Sequence, residues 1–106
     1  MGVLLSQIQA LAMAGEVILS QHAYDRLREH GISAHDIEAG IAGAVEIEEY
    51  PEYHKGPSVL ALQADANGQP IHVLWGIRKG TTGPAVAVTA YRPDPSRWTT
   101  DFRRRL

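Results

Sequence analysis

His72, His22, Arg26 and Tyr91 are the side chains whose types and settings could do chemistry in this chain. Histidine has an unperturbed pKa of about 6.5, so near neutral pH it can both take and return a proton. Arg26 offers a permanent cation and Tyr91 a hydroxyl. Metal-independent RNA cleavage needs such a set: a base for the 2′-hydroxyl, a cation for the phosphorane and an acid for the leaving oxygen. In that scheme His72 is base or acid, His22 its complement, Arg26 a phosphate clamp, and Tyr91 a positioning group or acid. Gln63, Thr89, Arg92 and Arg97 would contact the substrate.

Each of these residues has a plainer use. His72 lies between Ile71 and Val73, a setting that also suits a hydrogen-bonded structural histidine. His22 can assist a helix cap, Arg26 can pair with Glu29 or Glu46, and Tyr91 can bond backbone at a strand end. Trp75 and Trp98 read as packing residues. Glu46, Glu48 and Glu49 read as a solvated strand edge that discourages pairing with other chains. The alternative function is therefore a catalytically silent nucleic-acid- or protein-binding module, with salt-sensitive binding and no turnover. Two histidines without a placed carboxylate make a poor zinc set, so no metal and no cofactor are expected.

The elements that must position these groups follow from periodicity and punctuation. Leu4, Leu5, Ile8, Leu11 and Ala12 recur at helical spacing, predicting a helix over residues 3–14 stopped by Gly15. Glu16-Val17-Ile18-Leu19 is too short for periodicity to assign. Ser20 suits the N-cap of a helix running to His30 with Gly31 as its stop, which puts His22 and Arg26 on one stripe beside the core positions Ala23 and Leu27. Ser33 followed by Asp36 opens a third helix that ends near Gly40 or Gly43.

From Val45 the period shortens to that of strands, first over Val45–Glu49 and then over Val59–Leu62. Asn67-Gly68 predicts a two-residue hairpin turn into a strand over Ile71–Lys79, and Gly80–Gly83 reverses the chain into Ala85–Tyr91. Pro93 and Pro95 stop the sheet, and Asp94 is placed to cap a last short helix holding Trp98 and Phe102. Counting from both turns sets Gln63, His72 and Tyr91 in one row across the sheet, a register that a single bulge would change. The expected fold is α+β: N-terminal helices on a four-stranded antiparallel meander, with a short C-terminal helix, all in one domain over residues 1–106.

Composition bounds the function. A chain of 106 residues with 44% apolar and 21% charged residues is that of an ordinary globular protein. The absence of cysteine excludes disulfides, thiolate catalysis and cysteine-ligated zinc. No segment approaches the ~18 apolar residues of a membrane span and no leader is evident, so a cytoplasmic protein without membrane contact is expected. Met1-Gly2-Val3-Leu4-Leu5-Ser6 fits the loose myristoylation pattern, a match that chance supplies often and that we set aside. The net charge of −2 hides nine acids against two bases in residues 1–53 and three acids against eight bases in residues 54–106. The second half is suited to a polyanion.

Taken together, Ser20-x-His22-Ala23-x-x-Arg26-Leu27 through Gly31-Ile32-Ser33, Asp36-Ile37, Ile47-Glu48-Glu49-Tyr50-Pro51, Gly68-x-Pro70-Ile71-His72-Val73 and Thr89-Ala90-Tyr91-Arg92-Pro93-Asp94-Pro95-x-x-Trp98 resemble the domain-of-unknown-function family 4258 (DUF4258). That family is similar to the RelE- and BrnT-like ribonuclease toxins of the barnase, EndoU, colicin and RelE grouping. The resemblance implies helices followed by a four-stranded antiparallel sheet, polar active-site groups on sheet and helix, and RNA or a cognate antitoxin or other protein as partner. Two features depart from the toxin pattern: a pI of about 6.2 and a candidate sheet face not rich in Lys and Arg.

Overall fold

The computed structural model describes residues 3–106; Met1 and Gly2, and with them the N-terminal lipidation pattern, lie outside the described residues. Three helices come first: α1 (Val3–Met13), α2 (Gln21–His30) and α3 (Ala34–Gly40), the last continued by a 3-10 turn over Ile41–Gly43. Their ends follow the expected chemistry. Ser20 accepts the Ala23 amide at 3.0 Å and Ser33 the Asp36 amide at 3.0 Å, each satisfying a donor that a helix N-terminus leaves free. Gly31 closes α2 at φ 63, the left-handed conformation that glycine adopts without steric cost.

Five strands form one sheet: β1 (Val17–Leu19), β2 (Val45–Tyr50), β3 (Ser58–Ala64), β4 (Pro70–Ile77) and β5 (Ala85–Tyr91). The order is β1-β5-β4-β3-β2. β2 to β5 make the expected antiparallel meander, and β1 corrects the expected strand number by adding a fifth strand parallel to β5 at the edge. Three residues are too few to show alternation, so only the partner strand reveals β1. Ser20 reinforces the join: while capping α2, its hydroxyl donates to the Val88 carbonyl at 2.7 Å.

The helices cover one face. Ile8, Leu27, Ile37 and Ile41 pack on Val59, Ala61, Ile71, Val73, Trp75, Ala87 and Ala90, which the two-residue period of the strands, reset in β5 by a bulge between Ala87 and Ala90, turns to the same side. The other face carries Ser58, Leu60, Leu62, His72, Leu74, Thr89 and Tyr91. It is crossed at one end by the C-terminal segment.

The β3–β4 connection corrects the expected register. Asp65 Oδ1 accepts the amides of both Asn67 and Gln69 at 2.8 Å, and the Asp65 amide donates to the Gln69 carbonyl. The loop therefore holds three residues, 66–68, with Gly68 at φ 78, rather than two. Gln63 pairs with Ile71 and Leu62 with His72, so Gln63 points to the helices instead of sharing a face with His72. Gly68→Val is expected to cost about 1–2 kcal/mol, since a side chain there meets no neighbour and only the positive φ opposes it. A melting temperature equal to the parent's would contradict this turn.

Between β4 and β5 two departures cancel. Ile77 pairs with Ala85, one residue short of the simple count, and a bulge at Val88 restores it, so Tyr91 lies opposite His72 as expected. The expected C-terminal helix is replaced by turns closed by a Trp98–Arg105 bridge. Local bonds win there: Asp94 accepts the Ser96 amide and hydroxyl, Asp101 accepts the Thr99 hydroxyl and the Arg103 amide, and Phe102 takes φ 59. Short polar side chains that bond nearby backbone compete with helix in this way.

Candidate functional site

The cleft forms where β5 ends. α2 supplies Arg26 and His30, one turn apart on the same stripe; β5 supplies Tyr91 and Arg92; the segment beyond supplies Asp94, Arg97, Trp98 and Arg105. These border a depression of about 680 Å³. The helix reaches it because the apolar stripe of Ala23 and Leu27 seats α2 on the sheet, leaving the adjacent stripe at the rim.

His72 sits directly behind Tyr91. Its ring is fully buried, edge-on to Trp98 at 4.4 Å and to Tyr91 at 5.2 Å. Nε2 donates to the Phe102 carbonyl at 2.8 Å, because a carbonyl can only accept, and Nδ1 then accepts from the Tyr91 hydroxyl at 3.1 Å. Burial lowers the His72 pKa against the opposing bond to Phe102, with Arg105 adding to the fall, so the ring is neutral at pH 7. Burial likewise raises the Tyr91 pKa, and the phenol remains a donor.

The arginines of the cleft differ in freedom. Arg92 is a clamp within the fold: Nε donates to the His30 carbonyl at 3.2 Å, and Nη2 donates to the Gly31 carbonyl at 3.3 Å and pairs with Asp65 at 2.9 Å. Its amide also donates to His30 Nδ1 at 3.3 Å. Asp65 is held below the usual carboxylate range first by the Gln69 amide, and also by Arg92. Arg26 pairs loosely with Glu29 at 3.4 Å and Arg97 with Asp94 at 3.9 Å, both on open surface. Arg105 lies over the Trp98 ring at 5.0 Å and pairs with Glu48 at 2.8 Å. Tyr50 donates to the same Glu48 oxygen at 2.7 Å, and that bond, ahead of Arg105, lowers the Glu48 pKa.

Of the residues picked from sequence, Arg26, Tyr91, Arg92 and Arg97 thus meet in one cleft, with His72 behind it and Thr89 in the adjoining depression. His22 is exposed on α2, outside the cleft. Gln63 is buried on the opposite face, donating to the Ile37 carbonyl at 3.0 Å and accepting from Trp75 Nε1 at 2.6 Å. His30 and Arg105 were not picked. For His30 the signal existed, since it continues the His22–Arg26 stripe by one more turn; for Arg105 only the basic run Arg103-Arg104-Arg105 pointed there.

Tyr91, Arg92 and the whole of α2 fall within residues 19–92, which match the family model described as domain of unknown function (DUF4258). The chain belongs to this family. The DUF4258 match begins at Leu19, in β1, and ends at Arg92, the clamp; the last residues of the cleft, including Arg97 and Arg105, follow it. Comparison with curated proteins and with solved structures gave no match. Among the described residues no helix is long and apolar enough to cross a membrane.

Proposed function

We propose that the cleft binds RNA through its phosphate backbone and that this DUF4258 domain is a nucleic-acid-binding module. The observation that carries the reading is the gathering of Arg26, Arg97 and Arg105, beside the fold-clamped Arg92, around one depression whose single acidic side chain among the described residues is Asp94. The acids that partner Arg26 and Arg97 do so across exposed surface, where an ion pair is worth about 0–1 kcal/mol, so a phosphate can replace them. Binding without turnover is favoured over cleavage because His22 stands outside the cleft and both nitrogens of His72 are engaged inside the fold. An acidic protein partner would compete for the same arginines.

Fluorescence anisotropy with labelled RNA at graded salt tests this. Affinity should fall as salt rises, and the Arg26→Ala/Arg97→Ala double variant should bind about tenfold more weakly with a salt slope reduced by about 1.4. An identical slope in parent and variant would remove the cleft from the binding site.

A second reading, endoribonuclease activity of the RelE type, has one observation in its favour. The Tyr91 hydroxyl in the cleft donates to a neutral imidazole, which gives a proton a path from the cleft to His72. Arg26 would then steady the phosphate, and His30 would stand where His22 was expected. In this reading His72→Gln abolishes cleavage by a factor of roughly 10² or more while the fold survives.

A further inference from the structure

The open face of the sheet carries more than the cleft. A second depression, of about 270 Å³, adjoins it and shares Tyr91 and Arg105 as walls; Leu60, Leu74 and Thr89 also line it, with Tyr50 beside Arg105 on the same Glu48 oxygen and Tyr53 and Ser58 completing it. A third, of about 250 Å³, shares Tyr53 and Ser58 with the second and is bordered by Lys55 and Arg78. The shared residues place the three side by side, as a path along this face. It begins among Arg26, Arg97 and Arg105, passes Tyr91, Tyr50 and Tyr53 alongside Leu60 and Leu74, and ends at Lys55 and Arg78.

The order of these groups is informative. Cations stand at both ends and aromatic rings between them, with Glu48 tied to Arg105 and Tyr50 near the middle. A purely apolar partner would leave the end charges unanswered. An acidic peptide would answer the charges and leave the rings unused. A nucleic-acid strand answers both, since each nucleotide brings a phosphate and a flat base, and an aromatic ring accepts any base through its π-face. The bases must be unpaired, because in an A-form duplex they are stacked on each other and only the helix edge and backbone are offered.

Resting on the reading of the cleft as an RNA site, we propose that this path is the track of a single RNA strand, its backbone held at the arginine cleft and its bases laid over Tyr91, Tyr50 and Tyr53. Tyr53 is the residue to test, because it lies in the β2–β3 loop, is 38% exposed and has no hydrogen bond from its hydroxyl to the fold.

The experiment measures anisotropy of a labelled oligouridylate of about 12 nucleotides and of an RNA duplex of similar length against the intact parent, Tyr53→Ala, Tyr53→Phe and Arg97→Ala, with melting curves on each. The parent should prefer the single strand. Tyr53→Ala should weaken single-strand binding by roughly 5- to 100-fold at unchanged melting temperature, and Tyr53→Phe should restore it, since stacking needs the ring and not the hydroxyl. Equal affinity of parent and Tyr53→Ala, with binding still weakened in Arg97→Ala, would overturn the track and leave the cleft as the RNA site. No binding of either RNA by the parent would overturn both. Displacement of the oligouridylate by poly-glutamate at equal charge concentration, with no effect of Tyr53→Ala, would assign the path to an acidic protein instead.

Discussion

His72→Ala should lower stability by about 3 kcal/mol, a fall in melting temperature of roughly 12 °C or more. The ring is fully buried and holds two other groups in place, the Tyr91 hydroxyl and the Phe102 carbonyl. Removing it opens a cavity and strands both partners. The same ring makes stability depend on pH. Because burial depresses the folded pKa of His72 below its ordinary value near 6.5, the unfolded chain takes up the proton first as pH falls. The contribution is complete above about pH 6.5 and declines as pH drops from there toward the folded value. The parent should therefore lose more stability between pH 7 and pH 5.5 than His72→Gln, which has no proton to take up at that position. Parallel melting curves for the two proteins across that range would show that His72 is not held neutral by the fold.

Arg92→Ala should cost about 2 kcal/mol, even though this arginine borders the cleft and looks from sequence like a substrate contact. Its guanidinium ties the last carbonyls of α2, at His30 and Gly31, to the β3–β4 loop through Asp65. A cation beside C-terminal helix carbonyls is also favoured by the helix dipole. Arg92→Lys should recover little of the loss, because one ammonium cannot serve acceptors that a planar fork reaches in several directions. Thermal melts of the three proteins decide it. If Arg92→Lys melts with the parent, charge alone is enough and the clamp is not the reason for the residue.

The parts of this fold that were legible in sequence are those set by short-range chemistry. Ser20, Ser33 and Gly31 mark helix ends because cap geometry needs particular side chains at particular positions. The placing of Tyr91 opposite His72 was legible too, although by compensation: the loop shifts the count by one and the bulge at Val88 shifts it back. What was not legible depends on distant partners or on competing local bonds. β1 exists because Ala85–Ala87 receives it, and nothing within Val17–Leu19 announces that. The displacement of Gln63 comes from Asp65, whose carboxylate lengthens the hairpin loop and turns a supposed substrate contact into an internal tie between Trp75 and Ile37. Thr99 and Asp101 fold the C-terminal segment into turns where an N-cap and two aromatic residues suggested a helix.

The parallel pairing of β1 with β5 has a consequence for how the protein comes into being. During synthesis, Val17–Leu19 and the helix that follows emerge early, yet their partner Ala85–Ala87 lies almost seventy residues downstream. Loop closure over such a span is slow compared with forming the helices or the hairpins, so the first and last strands meet late. The cleft needs α2 on one wall and Arg97 and Arg105 on another. A nascent chain therefore carries its helices well before it carries the cleft, whose walls are complete only once Arg97 and Arg105 have been made and β5 has met β1.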